Sequence, residues 1–330
     1  MEKRALRGAD VKRIVVSNIS LIVFVILFVT SIILSPVFLS MANITNILRQ
    51  QFPFMLIALG AMLVIMTGGI DLAAGQILGF GSTFLVILVN GLNLNTWPRL
   101  LLGCLIVIVV CGGFGFISGF FTAYFKMAAF IVTLAMMRIV EGITFISCAG
   151  QPLRLNPAWE STRVLNSFAN HRWLGIPVAV YFAFAVMFVF MFIIKYTSYG
   201  RLLIASGSNP MAVRLSGINE KAYKLSAFVI SGALAGMGGI FITARTSMST
   251  PATGGGGFEL DAIAAVVIGG ASIAGGKASV ANTILGVFAL ALIGNIMNLM
   301  AISAFTQRVV LGVIILAAVF MTTMVSKKQD

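Results

Sequence analysis

The chain has 330 residues, of which 59% are hydrophobic and only 9% charged, with a formal net charge of +13. An ordinary soluble domain carries roughly 25% charged residues, and a chain with so few would expose wide apolar patches to water. The composition therefore excludes a soluble enzyme, a nucleic-acid-binding module and a disordered tail, and leaves a protein whose solvent is mostly lipid.

A helix crossing the hydrocarbon core needs about 20 mainly apolar residues. In chain order, the apolar runs predict helices over 15–38, 48–68, 74–91, 100–122, 128–148, 174–195, 222–244, 258–274, 279–301 and 306–325. The expected fold class is all-α: a polytopic membrane helix bundle of about 10 transmembrane helices, forming a single transmembrane domain over 1–330. Long apolar runs, rather than short alternating ones, exclude a membrane β-barrel. The first run exceeds the about 7–15 apolar residues of a secretory signal, which predicts an uncleaved first helix.

The basic balance reflects topology. With both ends in the cytoplasm, inner segments hold fourteen Lys and Arg and outer segments seven, all of them Arg, with Arg138 left inside a helix. That bias fits the positive-inside rule. Among the 34 glycines, Gly75/Gly79, Gly115/Gly119 and Gly232/Gly236 recur at four-residue spacing, which lets helix backbones approach closely. Two glycine–acid clusters stand out: Gly68, Gly69 and Asp71, followed by Gly75, and Gly254–Gly257 followed by Glu259 and Asp261. The first is expected inside and the second outside, as in an inverted repeat relating helices 2–5 to 7–10.

Catalytic chemistry finds no constellation here. The segment 271–278 (ASIAGGKA) lacks both the first glycine and the final Ser or Thr of a phosphate-binding P-loop. Cys104, Cys111 and Cys148 show no metal-ligand spacing, and His171 is the single histidine; Cys104 and Cys111 read as small packing residues. Asp71, Glu259 and Asp261 sit at helix starts, where carboxylates cap free N–H groups. Arg138 and Glu141 lie three residues apart, a spacing that pairs them on one helix face. They read either as an internal pair holding the helix against its neighbours or as a coupling-ion site. Thr243, Ser247, Ser249 and Thr250 are candidates for a polar outer mouth.

The inner segment 196–221 contains Tyr199–Gly200–Arg201, then 205–210 (ASGSNP), then 212–218 (AVRLSGI). With Gly68–Gly69–Ile70–Asp71–Leu72 and the run 259–270 (ELDAIAAVVIGG), which includes Gly269 and Gly270, followed by Gly275–Gly276–Lys277, three motifs stand in order. Over about residues 40–325 the chain resembles the ribose/galactose-type monosaccharide permease subunits of bacterial ATP-binding-cassette importers, within the wider branched-chain amino acid/sugar permease family. It departs where many members carry Glu at the positions of Pro210 and Met211.

The resemblance implies a permease for a pentose, hexose or small polyol in the bacterial inner membrane, itself no enzyme and binding no cofactor. ATP and magnesium belong to a cytoplasmic partner ATPase. A periplasmic sugar-binding protein and a second permease copy, most simply an identical one, complete the expected complex. The implied coupling segment is Asn209, Pro210, Met211, Ala212, Val213, Arg214, Leu215, Ser216, Gly217 and Ile218. Pro210 starts a short helix, Gly217 ends it, and Met211, Val213, Leu215 and Ile218 are its expected apolar anchors. Arg214 is suited to a partner carboxylate. Few polar residues are expected along the route, because the delivery protein sets selectivity. The competing reading is a stand-alone proton- or sodium-coupled carrier, with Glu141 as its energy site.

Overall fold

The computed structural model describes residues 19–326. The basic residues Lys3, Arg4, Arg7, Lys12, Arg13, Lys327 and Lys328, and the start of the first expected helix, lie outside them. The helices are α1 (Ile19–Leu34), α2 (Met41–Met66), α3 (Ala74–Gly91), α4 (Trp97–Tyr124), α5 (Ala129–Ser147), α6 (Glu160–Asn170), α7 (Val178–Tyr196), α8 (Ser198–Ser208), α9 (Pro210–Leu215), α10 (Glu220–Thr246), α11 (Phe258–Ile268), α12 (Val280–Leu299) and α13 (Ala304–Ser326). Seven of them, α2, α3, α4, α5, α7, α10 and α12, are long and apolar enough to cross a membrane. Two-residue strands pair as β1 (Leu153–Arg154) with β4 (Met248–Ser249), and β2 (Arg172–Trp173) with β3 (Ile176–Pro177).

Two expected helix boundaries move by six residues or more. α2 starts at Met41, not 48, because the Ser40 side chain accepts from the Asn43 N–H and caps the helix. The expected helix 258–274 stops at Ile268. Gly269 and Gly270 break it, the latter at φ +82°, a conformation that favours glycine. Its 11 residues span only about 16 Å, half of a hydrocarbon core of about 30 Å. The stretches left between expected helices at 149–173 and 196–221 are largely structured, the first by α6 and the second by α8 and α9.

We call the end carrying α8 and α9 the lower end. α2 and α10 run antiparallel through the centre: Phe52 packs edge-on against Phe241 at 4.1 Å between centroids, and Gly60 faces Ser231. Nearly every residue of α2 from Phe52 to Met66 is buried. Each central helix is followed by an irregular stretch and then a shorter helix. After α2 come 67–73 and α3; after α10 come β4, a 3-10 turn (Pro251–Gly256) and α11. The same order of parts thus occurs twice, in opposite directions.

The spaced glycines do what their spacing suggests. Gly115 and Gly119 on α4 abut the backbone and side chains of Leu225, Phe228 and Val229 on α10, while Gly232 and Gly236 receive Cys111. Cys111 is a buried packing residue. Gly232→Leu drives a side chain into the Cys111 carbonyl, an overpacking cost of about 1–3 kcal/mol. Thermal unfolding of the detergent-solubilised protein should fall by several degrees; an unchanged midpoint would contradict this packing.

Candidate coupling segment and interior junction

The residues 197–221 fold as two short helices because each has its own cap. The Thr197 hydroxyl accepts from the Gly200 N–H at the start of α8. The Asn209 side chain accepts from the Ala212 N–H at 3.0 Å and opens α9, and Pro210 supplies a fixed φ at the first turn. Gly217, at φ +77°, ends it; the Gly217 N–H donates to Arg214 O and the Ile218 N–H to Val213 O, the arrangement of a glycine C-cap. Asn219 then caps α10 by accepting from the Lys221 N–H. Ser216 sends its hydroxyl back to the Ala212 carbonyl.

The four apolar anchors divide. Met211 is 60% and Leu215 82% exposed, one helical turn apart on the same face. Val213 is buried and Ile218 half-buried against the rest of the chain, so these two fix α9 to its own protein rather than to a partner. Arg214 is also engaged internally, 3.4 Å from the Glu220 carboxylate. The unpartnered apolar pair is therefore Met211 and Leu215.

α8 is the link inward. The Tyr199 hydroxyl lies 2.8 Å from Ser226 Oγ on α10, and Ser226 donates onward to the Tyr223 carbonyl, which leaves Tyr199 as the donor. Burial pushes the Tyr199 phenol above its ordinary pKa and keeps that proton in place. At the other end of α8, Gly207 lies directly on the carbonyl of Met66, the last residue of α2. The same carbonyl accepts from the Gly276 N–H at 2.9 Å. Gly275, at φ +97°, touches Gly68 and the Gly207 carbonyl. The segment that resembled a failed P-loop is thus a glycine turn joining α8 to the first glycine–acid motif.

The two glycine–acid motifs, expected at opposite faces, meet in the interior. Asp71 is only 3% exposed. One of its carboxylate oxygens accepts from the Ala73 N–H at 3.0 Å, just before α3, and the other from the Ser231 hydroxyl at 2.8 Å. Its capping role extends to a clamp between α3 and α10. Gly75 leaves the space that the Glu259 carboxylate occupies, and Gly79 lies against Gly254. Both irregular stretches fold back into the bundle, which brings the starts of α3 and α11 together.

Two expectations are corrected. Arg138 and Glu141 do pair, at 2.9 Å, but their side chains are 71% and 33% exposed, so the pair does not hold α5 against its neighbours. Thr243 and Ser249 do not form a mouth. Thr243 lies 2.8 Å from Ser82 and Ser249 3.0 Å from Thr83, all four buried; Ser247 accepts from Asn166, and Thr250 bonds to Thr253. Thr243 and Ser249 thus stitch α3 to α10 and to the turn that follows it. Polar residues that do line open space include Asn46, Gln50 and Asn298, at the upper ends of α2 and α12. Their signal is faint in sequence, isolated amides at helical spacing within apolar runs.

Residues 43–319 match the family described as Branched-chain amino acid transport system / permease component. The ribose import permease protein of Escherichia coli K12 is 36% identical over 310 residues, covering 94% of each chain. That of Haemophilus influenzae is 34% identical over 332 residues and the full length of both. The L-arabinose transport system permease protein of Escherichia coli K12 is 32% identical over 91% of this chain and 88% of its own. No solved structure matches. With the family match spanning most of the chain and relatives aligned nearly end to end, this multi-pass membrane protein belongs to the branched-chain amino acid/sugar permease family.

Proposed function

We propose that the chain is the membrane-spanning permease subunit of an ATP-binding-cassette importer for a monosaccharide or small polyol. The observation that carries the coupling role is the exposed Met211–Leu215 pair on a capped helix whose neighbour α8 presses on Met66 and the Gly275–Gly276 turn. The relatives named for ribose and L-arabinose transport supply the substrate class.

The mechanism follows from the contacts. A cytoplasmic ATPase takes Met211 and Leu215 into a cleft and supplies the ATP chemistry with its own magnesium. Its closure on ATP displaces α9 and α8. Gly207 leaves no compressible side chain between α8 and the end of α2, so the displacement reaches 67–73 and 269–279 directly. These stretches flank α3 and α11, the two helices that start inside the bundle, and their rearrangement switches access between the two faces. A periplasmic sugar-binding protein delivers the substrate, and both chain ends lie in the cytoplasm of a bacterial inner membrane.

A second permease copy is supported by α5. Arg138 is the tenth of its 19 residues, near the middle of the bilayer, and is mostly exposed. Charged groups at that depth face a bundle interior or a water-filled cavity, so this face of α5 meets a second copy or the aqueous route between two copies.

Sugar uptake by cells expressing the full importer tests the proposal against the proton- or sodium-coupled carrier. Glu141→Gln should keep uptake within about twofold of the parent, and a protonophore or sodium removal should leave it intact while ATP is maintained. Loss of uptake in Glu141→Gln, together with ion-gradient dependence in the parent, would establish the carrier instead.

A further inference from the structure

A cavity of about 450 Å³ lies among the upper part of α2, the end of α10, the start of α11 and α12, within the range of about 300–1,000 Å³ typical of small-molecule sites. Its walls carry Asn46 and Gln50 from α2, Arg245 from α10, Phe258 and Asp261 from α11, and Asn298 from α12. Asn43 and Asn295 close one side by bonding to each other through both amides, at 3.0 and 2.8 Å. Such a density of polar groups within membrane helices is costly and marks a route or a site.

The unfilled hydrogen-bonding capacity is specific. Gln50 donates to the Asn46 side-chain oxygen, which leaves the Asn46 amide N–H groups and the Gln50 oxygen open. Gln307 donates to the Asn298 side-chain oxygen, which leaves the Asn298 amide N–H groups open. Among the described residues no donor bonds to the Asp261 carboxylate, although that residue is half-buried. The cavity thus offers open donors and acceptors, one cation, one anion and two aromatic rings, Phe54 and Phe258. A neutral ring bearing several hydroxyls matches this set: hydroxyls both donate and accept, and the C–H face of a sugar packs on a phenyl ring. A second cavity of about 460 Å³, with Arg49 and Arg172 in its walls, shares Asn43 and Asn46 with the first.

We propose that this cavity is a monosaccharide-binding station within the permease itself, where hydroxyls bond to Asn46, Gln50, Asn298 and Asp261 over the Phe258 ring. The proposal rests on the importer reading above. It reverses the expectation that the route is poor in polar residues.

The test uses the permease with its ATPase in proteoliposomes, without ATP or binding protein. Leu299 lines both cavities, and Leu299→Cys in a Cys104→Ala background reports occupancy through its rate of modification by a charged thiol reagent. The probe is whichever of D-ribose, L-arabinose, D-xylose and D-galactose the same complex takes up fastest when ATP and binding protein are supplied. That sugar should slow labelling at least fivefold, while labelling of Leu174→Cys on the exposed β2–β3 turn stays unchanged. Asp261→Asn on α11 and Asn46→Ala on α2 should each raise the half-protecting concentration at least tenfold, so one poorly folding variant does not end the test. An unslowed rate in a complex that takes up the sugar, equal protection by L-leucine, or unchanged half-protection in both variants would overturn the station and leave the importer standing. Uptake of none of the four sugars would overturn the monosaccharide station, and uptake of no small polyol such as ribitol either would overturn the importer reading with it.

Discussion

Gly207→Ala should abolish most sugar uptake and destabilise the protein, whereas Gly113→Ala should do neither. Both glycines lie inside helices, α8 and α4, where alanine is favoured by about 1 kcal/mol. Packing separates them. Nothing stands within 4 Å of a Cβ at Gly113, while a Cβ at Gly207 collides with the Met66 carbonyl and crowds the Gly276 N–H. The collision is with backbone, so no side chain can swing away. It displaces the Gly276–Met66 hydrogen bond, and a buried group left unpaired costs about 1–3 kcal/mol, on top of about 1–3 kcal/mol for overpacking. Thermal unfolding in detergent and uptake by cells check both effects. A Gly207→Ala protein with parental melting and uptake would show that α8 does not press on the end of α2.

Asp71→Ala should reduce the folded yield severely, and Asp71→Asn should retain most of it. The alanine variant orphans two buried donors, the Ala73 N–H and the Ser231 hydroxyl. At about 1–3 kcal/mol for each unsatisfied group, the loss is about 2–6 kcal/mol, a large share of a marginal stability. Asparagine keeps one carbonyl oxygen for the Ala73 N–H. Its amide N–H can face Ser231, whose hydroxyl turns to accept. Yield of monodisperse protein and its melting temperature measure the difference. Equal losses in the two variants would mean that the negative charge, rather than the paired hydrogen bonds, is what the junction needs.

The long helices were legible because lipid demands long apolar runs, and the short helix α9 because its caps are local: Asn209, Pro210 and Gly217 act within one or two turns. The orientation of α9 was less accessible. Val213 and Leu215 are equally apolar in sequence, and only the packing of α9 on its own chain turns the first inward. The meeting of Gly75 with Glu259 was hidden because a re-entrant stretch and a surface loop share the same glycine-rich composition; what distinguishes them is depth. The expected mouth at Thr243 and Ser249 failed for a related reason: serine and threonine hydroxyls serve equally well to line water or to pin neighbouring helices, and their partners Ser82 and Thr83 lie more than 150 residues away.

Co-purification of the ATPase from native membranes tests the coupling contact most directly, with the parent compared against a Met211→Glu, Leu215→Glu double variant of equal expression and melting temperature. Both substituted side chains are exposed, so the permease should fold unchanged. The parent should retain an ATP-binding-cassette ATPase through washing, and the double variant should lose it together with ATP-driven sugar uptake. Equal recovery from both proteins, or no ATPase with the parent in membranes where such importers are active, would contradict a coupling role for α9.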